Sequence, residues 1–132
     1  MSAGIEVVRQ AYEAFRAGDA EALIAVSDPE IEFGTSAAAP GGTFHGHPGI
    51  RRYLKEIEIA FGDRWDAAIE RIADVGDDRV LVIARVFGEG KAGEPLSLHL
   101  GHVWELKDGK LLRGRVYLDP QEALDAVEAN TV

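Results

Sequence analysis

Two pairs of histidines stand nearest to chemistry in this sequence, His99 with His102 and His45 with His47. An imidazole titrates near neutral pH, so a histidine held by an orienting partner can take or give a proton in a reaction. His99 and His102 lie three apart in an extended run, and side chains alternate along a strand, so the two fall on opposite faces and cannot share a metal ion. His45 and His47 are two apart and could face the same way. Gly46 and Pro48 beside them, with no third ligand in view, point to a helix start instead, and no metal site is expected. Asp119 precedes Pro120 and stands three residues before Glu122, the pattern of a helix cap. Arg85 interrupts the apolar run from Val80 to Phe87. A buried guanidinium there would need a carboxylate or a ligand anion, and an exposed one would mark an edge or rim. Phe33, Tyr53, Phe61 and Trp65 read as core, or as walls of a cavity for a flat, hydrophobic ligand with one polar end.

The elements that position these residues follow from periodicity. Ile5, Val8, Tyr12 and Phe15, with Ala11 between, recur at helical spacing up to Gly18, and Asp19 is placed to cap a second, short helix carrying Leu23, Ile24 and Val26. That helix must stop before Pro29. Ile31 to Phe33 reads as a brief strand, and Gly34 to Gly46 as a loop long enough to form a rim or lid. Pro48 opens a third helix with Ile50, Tyr53, Leu54, Ile57 and Phe61 on its apolar stripe. From Trp65 the period changes to two. Strands are expected over 65–75, 79–87, 95–106 and 111–118, the last two joined at Asp108-Gly109, a pair suited to a turn with both residues at positive φ. A final helix follows Asp119, and a chain of 132 residues with helices first and strands after is read as one α+β domain, 1–132.

Composition narrows the function. There are no cysteines, so thiolate zinc sites, redox pairs and cysteine nucleophiles are excluded. A formal charge of −9 repels phosphate backbones and anionic lipid, and Arg51-Arg52 and Arg113/Arg115 are too sparse to reverse that locally, so neither nucleic acid nor membrane is expected as a partner. With no apolar stretch of transmembrane length and no signal-peptide pattern at the N-terminus, a cytoplasmic location is expected.

The Asp108-Gly109 turn also sets an expected register. Lys107 would pair with Lys110, Val103 with Gly114, Gly101 with Val116 and His99 with Leu118 on one face. The other face would collect Leu98, Leu100, His102 and Trp104 with Arg113, Arg115, Tyr117 and Asp119.

Taken together, Ala17-Gly18-Asp19, the segment from Phe44 to Tyr53 and the hairpin from His99 to Asp119 resemble the SnoaL-like branch of the nuclear transport factor 2-like superfamily. The resemblance implies a cone, in which a curved antiparallel sheet wraps the N-terminal helices around an internal cavity and the convex side often meets a second subunit. Matched to ketosteroid isomerase, a cousin, the chain has Ala11 where that family has its donor tyrosine, Phe33 in place of the base aspartate and Gly101 in place of the second donor. That chemistry is therefore not expected. The Asp-Arg-Asp set of limonene epoxide hydrolase is missing as well.

The same match makes the face of His99, Gly101 and Val103 the concave one. His99 is then the expected catalytic group, or else a histidine filling the cavity mouth with a single hydrogen bond. Phe33, Tyr53, Phe61, Trp65, Val103 and Leu118 would form the ligand walls. Leu98, Leu100 and Trp104 would form an outer patch covered by a second copy, giving a homodimer. SnoaL-like cyclases pair an aspartate with a histidine near the end of this sheet, which offers Asp119 a second role. The implied function is binding of a hydrophobic small molecule, with cofactor-independent lyase, isomerase, cyclase or hydrolase activity. The alternative is a non-catalytic ligand-binding or protein-interaction module.

Overall fold

A computed structural model describes residues 3–35 and 43–129. Helix α1 (Ala3–Ala17) buries Val8, Ala11 and Tyr12 on the expected stripe and ends at Gly18, whose φ of 67° needs a residue without Cβ. Asp19 then caps α2 (Ala20–Ala25) by accepting a hydrogen bond from the Ala22 amide at 3.1 Å. Strand β1 (Ser27–Thr35) starts earlier than expected and runs through Pro29, where its pairing with the neighbouring strand is irregular and a missing N–H is tolerated. A short β2 (Thr43–His45) pairs with β1 inside the stretch read as a loop, while 36–42 of that loop lie outside the described residues. Helix α3 (Gly46–Phe61) follows, then β3 (Trp65–Asp74), β4 (Arg79–Glu89), β5 (Pro95–Lys107), β6 (Lys110–Tyr117) and α4 (Pro120–Ala129).

The six strands form one curved sheet in the order β2-β1-β6-β5-β4-β3. The α+β cone expected from the sequence is present, with one difference. The sheet is mixed rather than wholly antiparallel, because β1 and β6 pair in parallel. Parallel neighbours need a long crossover, and α3 with the four strands β2 to β5 supplies it.

At the tip of the last hairpin, Asp108 (φ 51°) and Gly109 (φ 77°) form the expected turn and Lys107 pairs with Lys110. The register beyond it differs. Leu106 faces Leu111, yet Glu105 faces Arg113, so Leu112 is a bulge residue and every later residue of β6 is displaced by one. Val103 therefore faces Arg115, and it is Trp104 that faces Gly114.

The assignment of faces is reversed relative to the sequence expectation. Val80, Val82 and Ala84 of β4, with Trp104 and Leu106 of β5 and Leu111 of β6, pack against Val8, Ala11, Tyr12 and Ala14 of α1, Leu23 of α2 and Ile50 of α3. Leu81, Ile83, Val103 and Tyr117 lie on the other side, under Ala123, Leu124 and Val127 of α4. Gly101 explains the choice. A Cβ there would collide with the Ala123 methyl group, so the glycine provides the flat spot on which α4 docks. Leu100 and Trp104, expected on an exposed patch, face the helices instead, and Leu100 is buried. Among the described residues no helix is long and apolar enough to cross a membrane.

Candidate functional site

Between α1, α3 and the helix-facing side of the sheet lies a cavity of about 60 Å³. Its walls are almost wholly apolar, and among the described residues no acidic one lines it. Tyr12 and Phe15 come from adjacent turns of α1, and Phe33 from β1. Tyr53 comes from α3, and His102 and Trp104 from β5, two apart and so on one face. Gly114 sits opposite Trp104. A Cβ at that position would overlap the indole, so the glycine lets the ring lie against β6.

Three of the side chains that line it carry a polar atom without a partner. Tyr12 Oη, His102 Nδ1 and Trp104 Nε1 are all buried and have no hydrogen-bond partner among the described residues. The rings that carry them are neighbours: those of Tyr12 and His102 are 5.4 Å apart between centres, and those of His102 and Trp104 6.1 Å in an edge-on arrangement. Burial pushes the His102 imidazole down to about 4, so it is neutral at physiological pH. Burial also pushes the Tyr53 phenol up to about 12, and it stays protonated. An indole N–H can only donate, a phenol can donate or accept, and a neutral imidazole nitrogen does one or the other according to tautomer. Together they would hold an oxygen-bearing group that offers at least one acceptor. Such groups are rarely left unpaired in native proteins, and each costs on the order of 1–3 kcal/mol when it is.

Aromatic rings form the rest of the wall. Phe33 stacks on Phe44 at 5.3 Å and meets Tyr53 edge-on at 5.2 Å, and Tyr53 stacks on Phe15 at 5.4 Å. Phe33 and Tyr53 stand in the cavity wall. Trp65 packs edge-on against Phe15 from outside at 5.1 Å and lines a neighbouring cleft rather than the cavity. Phe61 is half-buried at the end of α3, outside the cavity lining. Val103 is on the α4 side of the sheet, and Leu118 is 62% exposed beyond β6.

His99 also stands away from the cavity, because strand alternation puts it on the face opposite His102. There its Nε2 lies 2.6 Å from Glu70 Oε1, and Arg85 Nε donates to Glu70 Oε2 at 3.4 Å. Glu70 occupies a bulge in β3 between the Ile69 and Arg71 pairings. The hydrogen bond from His99, then that from Arg85, holds its carboxyl below the usual range. Arg85 is exposed, so the guanidinium is not the buried one that would have needed this carboxylate. His45 lies 3.8 Å from Glu30, while His47 Nε2 is 3.3 Å from the Ser27 carbonyl, so the two imidazoles turn to different partners. Asp119 accepts from the Gln121 amide at 2.9 Å, as a cap for α4 would.

Sequence reasoning missed Tyr12, His102 and Trp104 as site residues. A signal for the last two was present. Gly101, in mid-strand and two residues from Val103, marks a close approach by another element on that face, which leaves His102 and Trp104 to the cavity side. At the positions matched to ketosteroid isomerase, Ala11 and Phe33 do line the cavity, while Gly101 lies beneath α4.

Comparison with known proteins agrees with this architecture. No curated protein matches the chain. Among solved structures, an NTF2-like protein of unknown function from Burkholderia pseudomallei K96243 superposes with a TM-score of 0.79 at 21% identity, over 96% of this chain and 98% of its own. TerC, co-crystallised with polyporic acid, superposes with a TM-score of 0.78 at 26% identity, over 96% and 99%. An LEH-like epoxide hydrolase from M. tuberculosis gives 0.73 at 16% identity, over 96% and 90%. The model of the SnoaL-like domain matches residues 8–114. With its six-stranded curved sheet and this match over most of its length, the chain belongs to the SnoaL-like family.

Proposed function

We propose that this protein binds a flat, largely apolar small molecule in the cavity, with the oxygen-bearing end of the ligand held by Tyr12, His102 and Trp104. The observation that carries this reading is that three of the residues lining one apolar cavity each hold a buried polar atom with no partner among the described residues. A ligand carbonyl or hydroxyl would satisfy them, and the rings of Phe15, Phe33 and Tyr53 would pack against its body. TerC, 26% identical along nearly its whole length, was crystallised with a small molecule, which supports the same use of this scaffold here.

Catalysis is a second reading. A neutral imidazole beside a phenol in an apolar cavity can exchange a proton with a bound hydroxyl, and His102 with Tyr12 forms such a pair. His99, if it is catalytic, would act on the outer face with Glu70 as its orienting group. Self-association belongs to the proposal too. Phe87 is 43% exposed on the outer face, and a twofold contact there would cover it. Light scattering should report a dimer, and Phe87→Glu should yield monomers.

The cavity is tested with 2-hydroxy-1,4-naphthoquinone as a flat, oxygen-bearing probe, followed by tryptophan fluorescence and calorimetry. Binding should weaken roughly ten-fold in each of Tyr12→Phe and Trp104→Phe, in line with the loss of one hydrogen bond. Equal affinity in wild type and both variants would remove the reading.

A further inference from the structure

The outer face of the sheet carries a second pocket, of about 270 Å³, where β1, β5 and β6 pass beside Ala126 of α4. The bulge at Leu112 decides which side chains reach it. Leu111 is buried among the helices, and unbroken alternation along β6 would turn Arg113, Arg115 and Tyr117 to that same side. The extra residue turns all three outward instead, and each lines the pocket. One row of side chains across the strands is charge-matched there: Arg79 faces Glu105, Glu105 faces Arg113, and Arg113 faces Glu32. Opposite signs on neighbouring strands account for that row without any ligand. The adjacent row is not matched. Arg115 stands between Val103 and Gly34, with Thr43 beyond Gly34, so neither flanking strand offers it a carboxylate. Among the described residues Arg115 makes no ion pair, whereas Arg113 has Glu105 at 3.6 Å. Gly34 has no side chain to fill the space beside the guanidinium, and it lines the pocket with Val103 and Ala126.

We propose that this pocket is a second binding site, for a small monocarboxylate, with the carboxylate on the fork of Arg115 and the body of the ligand against Val103, Ala126 and the Tyr117 ring. A guanidinium presents two parallel N–H donors, the geometry that matches a carboxylate. Thr43 and Tyr117 contribute hydroxyls to the same lining. Three arginines stand there against two glutamates, so one positive charge is in excess on a chain whose formal charge is −9. A single negative charge balances that excess, whereas a dianion would also be repelled by Glu32 and Glu105. Tyr12, His102 and Trp104 take no part in this lining, and the site does not depend on what the inner cavity holds.

Benzoate is the probe, titrated into the intact chain and followed by calorimetry and by the amide resonances of Gly34, Thr43, Val103 and Ala126. It should bind with a Kd on the order of 1 mM and shift those four signals. Arg115 is exposed, so Arg115→Gln should keep the wild-type melting temperature while weakening benzoate roughly ten-fold, the loss expected of a charge-assisted hydrogen-bonded pair. Arg115→Lys should recover only part of that loss, because an ammonium keeps the charge and lacks the fork. Glu32→Gln should tighten binding. Inorganic phosphate, with close to two charges at neutral pH, should bind more weakly than benzoate, and benzyl alcohol, which has the ring without the charge, should leave the four signals unmoved. Tyr12→Phe should bind benzoate as wild type does. Equal affinity in wild type and Arg115→Gln would overturn the site, as would four unmoved signals in wild type at tens of millimolar benzoate. Phosphate binding as tightly as benzoate would overturn the choice of a monocarboxylate. Loss of benzoate binding in Tyr12→Phe would place the probe in the inner cavity and overturn the second site while leaving the cavity reading standing.

Discussion

The imidazole of His102 lies 5.4 Å from the phenol ring of Tyr12, and neither His102 Nδ1 nor Tyr12 Oη has a hydrogen-bond partner among the described residues. The pair is therefore sensitive to pH in a defined direction. Burial lowers the His102 pKa from 6.5 to about 4, so the unfolded chain takes up this proton more readily than the folded one. The stability that a neutral His102 allows is complete above pH 6.5 and is lost as the pH falls toward 4. The loss over that interval should be roughly 3 kcal/mol. Urea unfolding at closely spaced pH values should show it, and His102→Gln should flatten the curve between pH 6.5 and 4. The carboxylates of Glu70 and Asp66, both held below their ordinary values, begin to lose their contribution as the pH falls through the unfolded values of 4.5 and 3.8, so His102 is read in the upper part of this window.

Gly114 predicts a second outcome. An alanine at this position places its methyl group where the Trp104 indole lies. Gly114→Ala should destabilise the fold by about 1–3 kcal/mol, the usual effect of overpacking. Near-ultraviolet circular dichroism should change with it as the ring is displaced, and binding of the naphthoquinone probe should weaken.

At the start of α4, Asp119→Asn should retain nearly all stability, because asparagine caps about as well, whereas Asp119→Ala should lose about 1 kcal/mol. Thermal unfolding of the two variants separates them. Equal stability accompanied by loss of binding in both would assign Asp119 to the ligand instead.

On the opposite face, His99→Gln removes the imidazole that holds Glu70. Both side chains are 41% exposed, and an exposed pair is screened by solvent and salt, so the melting temperature should change little. Affinity for a probe bound in the cavity should not change at all. A large loss of affinity in His99→Gln would show that the outer face takes part in binding.

Much of this molecule is legible one segment at a time. The stripe of Val8, Ala11 and Tyr12, the Asp19 and Asp119 caps, the turn at Asp108-Gly109 and the alternation along β5 each depend on residues within about four positions of one another. Each is found where the residue types place it. The side of the sheet that receives the helices is not local information. Val80 and Val82 point one way from β4 while Leu81 and Ile83 point the other, all four are buried, and an alternation that is apolar on both faces carries no mark of which is inner. The register of β6 is equally non-local, because the unpaired Leu112 shows only when two strands are laid side by side. Packing resolved both. α4 required the bare backbone of Gly101, its docking assigned that face to the outside, and His102 and Trp104 were thereby turned inward to meet Tyr12 across an apolar cavity.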